Sequence, residues 1–135
     1  MVRRLLALVL VLFLLTLTPL FAGQTIPVDV EAGLNSKGFA IYPGAVYCTG
    51  TVDIGIRFAS RKSTDEVKSW YKEKYPDWSV MDEYGSWVLY KGAPGASMPK
   101  VMSSNQILIQ KNVQLPSWHS LSADMTTEIM ASFPE

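Results

Sequence analysis

The chain has 135 residues, 48% of them hydrophobic and 18% charged, and its twelve basic residues balance twelve acidic ones. That balance excludes the basic face of a nucleic-acid binder, and the length fits one domain with a core of its own. A single cysteine, Cys48, excludes an internal disulfide, and a single histidine, His119, leaves no zinc pattern.

Arg3 and Arg4 precede sixteen uncharged residues, Leu5 to Leu20, and Ala22-Gly23 follows. A basic start, an apolar core and a small residue near a break make residues 1–22 a signal peptide. Cleavage there removes two arginines, leaving 113 residues with ten basic against twelve acidic. The imperfect cleavage motif, with Leu20 at minus three, leaves an uncleaved membrane anchor as the alternative, although Pro19 disturbs a spanning helix. Both readings place the domain outside the cytoplasm, either periplasmic or secreted, because the paired arginines stay inside.

Residues 23–40 are expected as an extended arm or edge strand and a loop, since Ile26, Val28 and Val30 alternate with Pro27, Asp29 and Glu31. Residues 41–135 then form the domain. Tyr42-Pro43-Gly44-Ala45 reads as a type II turn, proline fixing its second position and glycine accepting the positive φ of its third. Cys48, in the apolar run with Val46 and Tyr47, is expected as a buried thiol, the other readings being a disulfide-linked dimer or a reactive thiol. From Thr51 to Phe58, alternation puts Val52, Ile54, Ile56 and Phe58 on one face of a strand.

Ser63-Thr64-Asp65-Glu66 is a capping box, and Pro76 stops the helix that it starts. Val67, Trp70, Tyr71 and Tyr75 recur at spacings of three and four, the stripe of a helix that lies on a sheet. Two strands, Trp78 to Met81 and Trp87 to Lys91, flank a glycine-containing loop at 82–86, and Asn105 to Val113 gives another. Between them Gly92 to Pro99, with two glycines and two prolines, is an extended loop. Leu121, Met125, Ile129 and Phe133, spaced by four, predict a helix over 122–132. The fold class expected is α+β: an antiparallel sheet of about four strands, one amphipathic helix packed on one face, and a short C-terminal helix.

The series Tyr42-Pro43-Gly44-Ala45, a strand to Phe58, Ser63-x-Asp65-Glu66-Val67-x-x-Trp70-Tyr71-Lys72 and Trp78 resembles a small uncharacterised domain that recurs in exported bacterial proteins and lipoproteins. The resemblance spans about residues 41 to 112, each element of which has a structural reason of its own. It implies a fold and no catalytic residue.

Catalytic patterns are poorly supplied. His119 has only sequence-adjacent serines, Gly95-Ala96-Ser97-Met98-Pro99 lacks the last glycine of a nucleophile elbow, and the Ser-x-x-Lys spacings at Ser69 and Ser97 lack companion motifs. Asp65 and Glu66 serve the helix start, and Asp82 and Glu83 a solvated turn. No cofactor or metal is expected. The function expected is therefore a non-catalytic exported module that binds a protein or envelope component through the 92–99 loop and the aromatic residues beside it. Its candidate surface is Trp87, Tyr90, Pro94 and Met98. The alternatives are a small extracytoplasmic enzyme using His119, and a structural homodimer made through the C-terminal helix and Cys48.

Overall fold

The computed structural model describes residues 26–111 and 124–135. The signal segment, His119 and its neighbouring serines lie outside the described residues. Among the described residues the fold is α+β, with three helices and six strands: α1 (Val28–Ser36), β1 (Val46–Thr51), β2 (Gly55–Ser60), α2 (Thr64–Lys74), β3 (Ser79–Glu83), β4 (Ser86–Tyr90), α3 (Met98–Met102), β5 (Gln106–Lys111) and β6 (Thr127–Ser132). One sheet holds all six strands in the order β1-β2-β6-β5-β4-β3, and every neighbouring pair is antiparallel. It is therefore two strands wider than expected.

Four expectations change. The arm is helix α1, with Pro27 as its N-cap, Asp29 and Glu31 in its first turn, and Val30 and Leu34 buried one turn apart. The long strand through Thr51 is a hairpin: β1 ends at Thr51, residues 52–54 turn, and β2 starts at Gly55. The C-terminal helix is strand β6, seated between β2 and β5 at the centre of the sheet. Finally, the 92–99 loop runs into α3, which starts at Met98.

Other local readings stand as the residues dictate. Gly44 has φ 76, and the Ala45 N–H donates to the Tyr42 carbonyl at 3.0 Å, closing the turn. Ser63 Oγ accepts from the Glu66 N–H and the Glu66 carboxylate accepts from the Ser63 N–H, each at 3.3 Å, so both halves of the capping box form. The β3–β4 loop tightens to Tyr84-Gly85, both at positive φ, as a two-residue hairpin turn that follows strand twist requires.

Successive side chains of a strand point to opposite faces, so the sheet has two. The first face is the main core: Ile56, Phe58, Ile107, Ile109, Ile129 and Ala131 lie under Val67 and Tyr71 of α2 and Val30 and Leu34 of α1. Phe39 stacks on Phe58 and Tyr71, and Trp70 meets Tyr42 and Tyr71 edge-on. The aromatic residues of α2 thus serve packing. Tyr75 adds a strap, its hydroxyl donating to the Gly38 carbonyl and accepting from the Ala40 N–H. On the second face, among the described residues, Val101 of α3 and Ala96 pack on Met81, Val88 and Tyr90, over β3 and β4.

Candidate functional site

The four residues expected to form a binding surface do not share one. Trp87 lies in the main core at 8% exposure, with the Lys68 ammonium over its ring, while Tyr90 is in the second cluster at 1%. An aromatic rim at these two positions is thereby corrected: register places Trp87 and Tyr90 on opposite faces of β4, each against packed apolar side chains. The Tyr90 hydroxyl donates to the Ala93 carbonyl at 2.7 Å and Ser79 Oγ donates to that of Gly92 at 2.6 Å, so both tie the loop down. Pro94 and Met98 remain exposed on it.

Among the described residues the second face holds a groove of about 220 Å³ between the β1–β2 turn and α3. Leu108 of β5 and Met130 of β6, directly paired across the two strands, form its floor, and Ile54 and Met102 its lips. Ile54 is 89% exposed and Met102 56%, large values for apolar side chains. Two polar residues at the wall are already engaged. Gln106 Nε2 donates to the Met102 carbonyl at 3.0 Å, and Ser132 Oγ reaches the Asp53 carbonyl at 3.5 Å.

Further along the same face, Glu128 is buried beside Arg57, Nη1 to Oε1 at 3.4 Å, while Gln110 Nε2 donates to Oε2 at 2.9 Å. The carboxylate is held by one cation and one amide, which fixes β2, β6 and β5 against one another. Cys48, buried, neighbours this pair. Burial pushes its thiol up to about 11, the Glu128 charge adding to the rise and Arg57 offsetting it. A thiol of that kind is a poor nucleophile, and its burial keeps it from a second chain.

No family model, curated protein or solved structure matches the chain. Among the described residues, no group of three or more histidine, cysteine, aspartate or glutamate side chains is placed to hold a metal, and no helix is long and apolar enough to cross a membrane.

The groove was not legible as a site in the sequence. Ile54 fits the core alternation, and Met102 lies just beyond the glycine- and proline-rich 92–99 segment. The available signals were glycines at 50 and 55, which bracket a turn, and the Met98-x-x-x-Met102 spacing after Ser97-Met98-Pro99.

Proposed function

We propose that the chain is a non-catalytic, extracytoplasmic module that binds a protein partner by taking one of its apolar side chains into the groove lined by Ile54, Met102, Leu108 and Met130. The observation that carries this reading is the groove itself: an apolar concavity whose lips are the exposed Ile54 and Met102 and whose polar neighbours are already hydrogen-bonded. Small-molecule sites commonly offer about 300 to 1,000 Å³. At about 220 Å³ the groove suits the anchor residue of a protein interface better. Methionine walls favour the same use, because unbranched thioether side chains repack around differing partners.

The sheet's edges support the choice of face over edge. Edge strand β3 carries exposed Asp82 and Glu83, and edge strand β1 is irregular between Tyr47 and Thr49; charges and bulges both discourage strand addition. Export enters from residues 1–22, whose basic and apolar pattern is a sequence argument.

The test is a photo-crosslinking side chain placed singly at positions 54, 102 and 73 in the native cells, position 73 lying on the exposed face of α2. One adduct common to 54 and 102 and absent at 73 is expected, and Ile54→Asp removes the adduct formed at 102. Adducts of equal yield at 73, or none at 54 and 102, would sink the reading.

A further inference from the structure

We propose that Met102 is a modification site: a peroxide oxidises its thioether before those of the other described methionines, and the resulting sulfoxide closes the groove to apolar side chains. The second half rests on the groove reading above, while the first half does not. Five methionines fall among the described residues, at 81, 98, 102, 125 and 130. Their surroundings differ sharply. Met102 is 56% exposed and Met98 39%, whereas Met81 is 7% exposed beneath Tyr90 and Val101; Met125 and Met130 are half-buried. Oxidation of methionine follows access of the oxidant to sulfur, so this gradient sets the order.

In the reaction, a sulfur lone pair attacks one peroxide oxygen and the O–O bond breaks. Sulfur gains that oxygen and loses two electrons, and the departing hydroxide takes up the proton of the transferred oxygen and leaves as water. No cofactor is required. The product replaces a soft apolar thioether with a strong hydrogen-bond acceptor at the groove's lip. Gln106, an amide in the groove wall, gives one of its two Nε2 hydrogens to the Met102 carbonyl. A partner's apolar side chain entering the groove would strip water from the sulfoxide oxygen while offering it no donor, a costly arrangement. Met81 stays shielded in its own cluster, so the fold outlasts the change at the lip.

Hydrogen peroxide in graded doses on the full chain, followed by peptide mass spectrometry, reads the order directly. Met102 is expected to oxidise ahead of Met98, Met125 and Met130 and at least several-fold faster than Met81, and any of these oxidising as fast as Met102 would overturn the modification site. Groove occupancy is read with toluene, an analogue of the phenylalanine side chain that carries no hydrogen-bond donor, through the ¹³C-methyl NMR signals of the methionines. In the untreated chain toluene shifts Met102 and Met130 and leaves Met81 in place. After peroxide its affinity falls roughly tenfold, the cost of an unpaired buried acceptor. In the Met102→Leu chain, peroxide leaves toluene affinity at that variant's own untreated value. Oxidised Met102 with unchanged toluene affinity, or equal loss in Met102→Leu, would overturn the closure. No toluene shift in the untreated chain would instead fail the groove reading and the closure with it, while the oxidation order stays separately readable.

Discussion

Cys48 illustrates how one buried group ties the fold to pH. Its ordinary value near 9.0 is pushed up to about 11 in the folded chain, chiefly by burial. Between those values the unfolded chain has released the thiol proton and the folded chain still holds it, so the unfolded state binds fewer protons and stability falls as pH rises. Burial also raises Tyr71, the Tyr42 backbone offsetting part of the rise, and the sign is the same at higher pH. Urea unfolding between pH 8 and 11 should therefore show a loss that Cys48→Ala reduces by about 1–2 kcal/mol. Identical pH slopes in the two chains would assign the whole effect to other groups. Below pH 9 the thiol stays protonated, which agrees with a packing role for this residue.

At the scale of elements, the hairpin that carries Ile54 depends on one backbone position. Gly50 has φ 92, and a Cβ there would lie 2.0 Å from the Gly55 carbonyl oxygen across the strand pair. Gly44 also has positive φ, at 76, but faces open space. Gly50→Ala should thus cost more than about 3 kcal/mol, and Gly44→Ala about 1 kcal/mol. Thermal unfolding of the two variants checks the contrast, and comparable losses would contradict it. The same hairpin marks where sequence reading stops. Alternation from Val52 to Phe58 is genuine, yet it spans a turn, because Val52 is buried where its carbonyl accepts from the Phe133 N–H and Ile54 projects outward at the tip. The capped α2 and the Tyr42–Ala45 turn were legible because their hydrogen bonds are local. Helix α1 is hidden in the sequence because Ile26, Val28 and Val30 fit a period of two, whereas its buried pair is Val30 and Leu34, one turn apart.

The whole molecule turns on the strand read as a helix. Ile129 and Phe133 satisfy a spacing of four, but Thr127, Ile129, Ala131 and Phe133 equally satisfy a spacing of two, and a short apolar segment cannot choose between them without its neighbours. Tertiary pairing decides. β6 bonds β2 on one side and β5 on the other, and its Ile129 and Ala131, with Phe133 just after it, are buried in the main core. Without it the β1–β2 hairpin and the β3–β4–β5 meander are separate sheets, each with an uncovered edge, and the groove loses Met130 from its floor. The two halves become one sheet only after the last strand is in place, a long-range step of the kind that slows folding and exposes edges. A chain ending at Ala123 should therefore lose cooperative unfolding and aggregate, and a synthetic peptide of residues 124–135 added during refolding should restore both the cooperative transition and the dispersed NMR spectrum of the full chain. Ile129→Asp in that peptide places a charge at a fully buried core position and should abolish the rescue. A truncated chain that folds cooperatively by itself would mean that the two halves close on each other without β6, contrary to the strand order.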